Sequence, residues 1–131
     1  AAQAERELAN FFQISPDDKS CGKCGWTVSA IEKYVLDEWI KQNKPAPVII
    51  IDYLQEIPQE DPKMQSFDAI SENAAELKLF GKRYEVPVIL ISSIKRDYYK
   101  EELEIASFKG SGNIEYHSDC ILALQYIACS F

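Results

Sequence analysis

The chain has 131 residues, enough for one domain with a real core and too few for two ordinary ones. Hydrophobic residues make up 47% and charged residues 27%, which excludes a disordered chain, and no apolar run is long enough to span a membrane. The net charge of −7 argues against gripping nucleic acid through a broadly basic surface.

The acidity is uneven. Residues 1–61 carry 11 acidic and 6 basic side chains, and residues 62–131 carry 10 and 8. The second half is therefore the better side for an anionic partner. Cys21, Cys24, Cys120 and Cys129 could form disulfides, but a chain with a solid core needs none. The N-terminal stretch AAQAERELAN is charged and amphipathic, unlike a secretory signal. A reduced, cytoplasmic protein is expected.

Residues 2–9 read as a helix, with Ala4, Leu8 and then Phe11 or Phe12 along one side. FFQI at 11–14 is a short strand candidate, and 15–26 is a loop rich in Ser, Asp, Gly and Lys. Val28, Ile31, Val35 and Trp39 recur at helical spacing, which predicts a helix over 28–42. Thr27 is a natural N-cap, and Ser29 with Glu32 also fits a capping box, so two starts are open. Asn43-Lys44-Pro45 ends the helix.

PVIIIDY at 47–53 is apolar at every position from Val48 to Ile51. Such a run predicts a strand covered on both faces, as in parallel sheets. Residues 54–66 form a loop. Phe67, Ile70, Ala74, Leu77 and Tyr84 predict a second helix over 67–84, broken near Gly81. Val86 to Ile91 is a second apolar strand, 93–110 a polar loop, 111–119 one or two helical turns, and 120–124 a last strand. This alternation predicts an α/β fold with a mainly parallel sheet.

Three units carry candidate chemistry. Asp52 directly follows buried aliphatic residues, so it sits at the carboxyl end of a strand, where α/β sheets bind ligands. A carboxylate there can hold Mg²⁺ through water, or can simply cap the next turn. VPVILISSIKR at 86–96 ends in Ser92, Ser93, Lys95 and Arg96, which could sense a phosphate beside Asp52 or merely begin a solvated loop. In SFKGSGNIEYHSD at 107–119, Gly110 and Gly112 flank Ser111 ahead of a helical turn. Free backbone N–H groups and Lys109 could contact phosphates there.

In this order and spacing, IDYLQ at 51–55, VPVILISSIKR and SFKGSGNIEYHSD closely resemble the DnaB-type replicative helicases of the RecA-like ATPase superfamily, above all the divergent phage and mobile-element type. The resemblance covers about residues 27–126. It implies a partial RecA-like three-layer core over 1–131 as a single domain. It also implies an ATP-dependent DNA helicase that uses Mg²⁺, assembles as a homo-oligomeric hexamer and tracks single-stranded DNA, with no membrane partner. Asp52 matches the Walker B aspartate, the metal and cofactor candidate, and Gln55 lies in the same motif as a further cofactor-binding candidate. Ser93 stands where the family has a glutamine that couples nucleotide state to DNA, and joins Asp52 as a catalytic candidate. Lys109, Gly110 and Gly112 match a loop that holds single-stranded DNA phosphate, although Gly110 replaces a glutamate. Such a loop reconciles DNA binding with an acidic surface. The other readings are a non-catalytic RecA-like module for assembly or DNA binding, and another RecA-family ATPase.

No G-x-x-x-x-G-K-[ST] string occurs; CGKCG at 21–25 and FGKRY at 80–84 lack the first glycine and the Ser/Thr. In the family the P-loop precedes the segment matched here. The expectation is thus either part of a longer motor or a domain without catalysis. Cys21-Gly-Lys-Cys24 resembles half of a zinc ribbon, but structural zinc needs four ligands, so an incidental loop, a zinc site with outside ligands and a redox pair stay open, and no zinc is expected in the isolated chain. His117 reads as a surface residue, Trp26 and Trp39 as core, and Tyr98 and Tyr99 as open candidates for contact with nucleic acid.

The family's strand order places the P-loop strand between the strands matching 86–92 and 119–125. The crossovers then put helices 28–42 and 67–84 on one face of the sheet, leaving the other bare. That bare face is expected to be buried by self-association or strand exchange, or covered by residues 1–10 and the 54–66 loop. Phosphate binding in this class depends on the glycine loop and its lysine, so the chain alone should show no micromolar Mg·ATP site in isothermal titration. A micromolar site abolished by Asp52→Asn would overturn that expectation.

Overall fold

The computed structural model describes residues 25–61, 63, 65–98, 102–104, 107–108 and 111–125. The expected helix at 2–9, strand at 11–14 and Cys21–Cys24 pair lie outside them.

Helix α1 spans Val28–Val35 and continues as a wider π-type turn over Leu36–Ile40. Thr27 is the N-cap, its hydroxyl accepting from the Ala30 N–H at 3.4 Å. The alternative Ser29–Glu32 box does not form. Glu32 instead accepts from Arg83 at 2.8 Å and from the Tyr84 hydroxyl at 3.0 Å, joining α1 to the next helix. The end expected at Asn43 is made by two nested hydrogen bonds, Asn43 N–H to the Ile40 carbonyl and Lys44 N–H to that of Trp39. Asn43 takes the left-handed conformation this closure requires, with φ 52°.

Helix α2 runs unbroken over Ser66–Tyr84. Gly81 does not interrupt it. A Cβ there would lie 3.1 Å from the Val86 carbonyl and 3.3 Å from a Val88 methyl, so the glycine lets the following strand approach the helix closely. Glu85 then turns left-handed and ends the helix.

Strands β1 (Ile49–Asp52) and β2 (Val88–Ile91) pair in parallel, with Ile49 opposite Val88 and Asp52 opposite Ile91. Their inner-face residues Ile49, Ile51, Val88 and Leu90 pack on two adjoining clusters. One holds Val28, Leu54, Ile57, Ala74 and Leu77, and the other Val35, Phe80 and Val86. Both helices therefore lie on one face, as the crossover argument requires. Helix α3 (Ser111–His117) falls within the expected 111–119 and seats Ile114 on the first cluster.

Two expectations are corrected. The strands are not covered on both faces: Val48, Ile50, Ile89 and Ile91 are 58, 57, 51 and 44% exposed. The described part of the 54–66 loop packs elsewhere, with Leu54 and Ile57 buried on the opposite face, and residues 1–10 lie outside the described residues. The expected strand at 120–124 is irregular, with Leu122 and Leu124 exposed. A strand needs a ladder partner, and 120–125 finds none among the described residues.

The buried Asn73 side chain of α2 donates to the Ile57 carbonyl at 3.2 Å, pinning the loop after β1. Asn73→Ala leaves that carbonyl unpaired and should cost about 1–3 kcal/mol of stability. Urea denaturation checks this; an unchanged midpoint would mean that water replaces the amide.

Candidate nucleotide and nucleic-acid site

The site is built at the carboxyl ends of the two parallel strands. Asp52 closes β1 with its side chain exposed, and a cis peptide bond joins it to Tyr53. A 3₁₀ turn over Leu54–Glu56 follows, locked by the almost fully buried Leu54. The turn directs Gln55 back across the sheet. Its Nε2 donates to Ser92 Oγ at 2.8 Å, and its Oε1 accepts from the Ser93 N–H at 3.3 Å. Gln55 thus joins the first candidate motif to the second, and both serines stand just beyond Ile91, the register partner of Asp52. The Tyr53 hydroxyl donates to Glu56 at 2.6 Å, and this bond pushes the phenol above its ordinary range.

The second motif is joined in turn to the third. Ile94 forms an antiparallel bridge with Phe108, and the Lys95 N–H donates to the Ser107 carbonyl at 2.8 Å. Ser107 is fully buried. Its hydroxyl accepts from the Glu104 N–H and its own N–H donates to the Glu104 carbonyl, both at 2.9 Å. Beside Lys109 and the glycines, the burial of Ser107 marks it as a further structural residue of the third motif. Its signal was a small hydroxyl residue opening the third motif.

Gly112 lies in the first turn of α3, while Lys109 and Gly110 fall outside the described residues. Asp119, just past α3, pairs with Lys78 of α2, and that ammonium holds its carboxyl below the usual range. Arg96 begins an exposed 3₁₀ turn, and Lys95 lies over the Tyr98 ring at 5.9 Å. Tyr99 is outside the described residues. His117, expected at the surface, is half-buried. Trp26 packs edge-on to Tyr34 at 5.4 Å, and Tyr34 meets Trp39 at 5.7 Å; both tryptophans, expected in the core, are half-buried.

An open depression of about 560 Å³ lies behind the 3₁₀ turn, lined by Gln55, Ile57, Glu60, Ala69 and Ile70 among others. Asp52 does not line it, so the depression and the strand-end carboxylate are separate features. No group of three or more potential ligands among His, Cys, Asp and Glu occurs among the described residues.

Residues 23–127 match the DnaB-like helicase C terminal domain family, a span that contains all three motifs. The chain belongs to that family. No curated protein matches it. Membership gives a helicase-related role, and makes the α/β arrangement with its parallel strands a partial RecA-like core. No helix among the described residues is long and apolar enough to cross a membrane.

In this DnaB-like domain the loop carrying Gln55 is fastened at its far end too. Glu60 accepts from the Ser29 hydroxyl at 2.6 Å and from the Ser29 N–H at 3.0 Å, at the first turn of α1. Burial pushes its carboxyl up, but the bonds from Ser29 outweigh this and the net shift is downward. A carboxyl held below its unfolded value stabilises the fold above that value and loses the effect as pH falls through the folded one. Glu60→Gln should therefore be less stable than wild type at neutral pH, with the gap closing in acid. Thermal melts across pH check this; a gap that widens in acid would contradict it.

Proposed function

We propose that this chain supplies the Asp52 strand end and the DNA-facing loop of an ATP-dependent DnaB-like DNA helicase. The observation that carries this reading is the convergence of three motifs. Gln55 bonds Ser92 and Ser93, and Lys95 bonds Ser107, so the Asp52 end and the segment before Lys109 form one connected edge. That edge lies at the carboxyl ends of parallel strands, where this sheet class places ligands.

Asp52 offers one exposed carboxylate, and the hydroxyl residues Ser92 and Ser93 follow its register partner Ile91 on the neighbouring strand. These are hard oxygen donors, and a single carboxylate suits Mg²⁺ held mainly through water and nucleotide phosphates. When bound, Mg·ATP would supply the phosphoryl group transferred to water. Asp52 would orient the metal's water shell, and Ser93 would sense the phosphate side of the site. Lys109, Gly110 and Gly112 would hold the backbone of single-stranded DNA, and the 131 residues would act as one domain within a ring of identical subunits.

Fluorescence anisotropy with a labelled oligo-dT tests the DNA side directly. The chain should bind at low salt, and Lys109→Ala should weaken binding and lower the salt slope by about 0.7 for the lost phosphate contact. No binding by the wild-type chain at low salt would refute the reading.

A further inference from the structure

We infer that Gln55 is a positioning residue whose amide fixes the Ser107–Phe108 segment through the backbone beyond β2. The geometry is a short continuous path. The Gln55 side chain contacts two successive residues, the hydroxyl of Ser92 and the amide of Ser93. The very next residue, Ile94, bridges Phe108, and Lys95 donates to Ser107. Between the Gln55 contact at Ser93 and the third motif there is thus no intervening residue, because Ile94 itself bridges Phe108.

Gln55 itself has little freedom to drift. Leu54 beside it is 1% exposed in the core, and Ile57 two residues on is held by Asn73. The 3₁₀ turn closes through the Glu56 N–H on the Tyr53 carbonyl and the Ile57 N–H on that of Leu54. A glutamine on a rigid turn, bonded to a segment whose next two residues hold another, transmits position rather than merely filling space. The sheet alone cannot do this, because β2 ends at Ile91 and the ladder with β1 stops there.

Side-chain chemistry sets the specificity of the joint. A glutamine donates to Ser92 and accepts from Ser93. A carboxylate at this position can accept from both, since the serine hydroxyl can turn to donate. An aliphatic side chain can do neither.

Backbone amide exchange by NMR on the full chain tests the assignment. Gln55→Ala should speed exchange at Ser93 and also at Lys95, by about five- to tenfold for the loss of one net hydrogen bond. The Val86 N–H, bonded to the Gly81 carbonyl at the end of α2, should be unchanged and serves as the global control. Gln55→Glu should retain protection at both sites. If Gln55→Ala does not fold, Ser92→Ala, which removes the Nε2 contact and the long 3.5 Å bond from the Ser92 hydroxyl to the Ser93 carbonyl but leaves the Oε1 contact in place, should show a smaller rise at the same two amides. A rise confined to Ser93, or an equal rise at Val86, overturns the proposal. The DNA consequence rests on the helicase reading: Gln55→Ala should weaken oligo-dT binding by about three- to tenfold. A wild-type chain that binds no oligo-dT refutes that reading, while the Lys95 exchange rate still decides the role of Gln55.

Discussion

The parallel register of β1 on β2 sets the geometry of the candidate site. Because Asp52 stands opposite Ile91, the chain leaving β1 and the chain leaving β2 emerge at the same level. A glutamine three residues past Asp52 can then reach serines one and two residues past Ile91. A slip of β1 by one residue would reverse its facing and carry Ile49 and Ile51 out of the core. Register is held by those residues, with Val88 and Leu90, seated on the two helical clusters. These side chains are partly buried, so each contributes less than a fully buried one, which is worth about 1.5–3 kcal/mol, and together they disfavour the slipped arrangement.

The same sheet is finished on one side only. Val48, Ile50, Ile89 and Ile91 present aliphatic surface on the face away from α1 and α2. In sequence these strands read as apolar on both parities, which fits a strand with layers above and below. The described residues supply one layer. The two readings are reconciled by family membership: a RecA-like core is a layered α/β sheet, and the present elements account for one of its helical faces.

Much of this was legible from residues alone, and the misses have physical causes. Helical spacing from Val28 to Trp39 located α1, and Thr27 against Ser29 was settled only by a distant group, Glu60, which takes the Ser29 amide. Glu32 left its local box because Arg83 and Tyr84 offer it a better tertiary partner. Gly81 read as a break because glycine weakens helices, yet its value here lies in the contact with Val86 and Val88, which no local pattern reveals. Ile121 to Leu124 has strand composition, but a strand is a property of two segments and its partner is not encoded in its own residues. At the site, the motif spacing brought Asp52, Gln55, Ser93 and the third motif to one edge. The bond from Gln55 to the serines and the burial of Ser107 are facts of three-dimensional packing that spacing cannot express.

Charge constrains how such an edge could meet a polyanion. The whole chain carries −7, yet residues 86–112 contain Lys95, Arg96, Lys100 and Lys109 against Asp97, Glu101, Glu102 and Glu104. Four charges of each sign make this stretch neutral within an acidic molecule. Long-range attraction therefore does not favour DNA, and at physiological salt its reach is only about 8 Å in any case. Recognition at this edge would have to come from short-range contacts: backbone N–H groups, hydroxyls and one or two cations held at fixed spacing. Such contacts lose strength quickly when misplaced, because hydrogen bonds weaken steeply with angle and distance. If the proposed DNA-facing edge is correct, its neutrality on an acidic domain would make it depend on rigid positioning of its loops more than a basic patch would. The bonds from Gln55 through Lys95 to Ser107 are the part of this structure that would provide it.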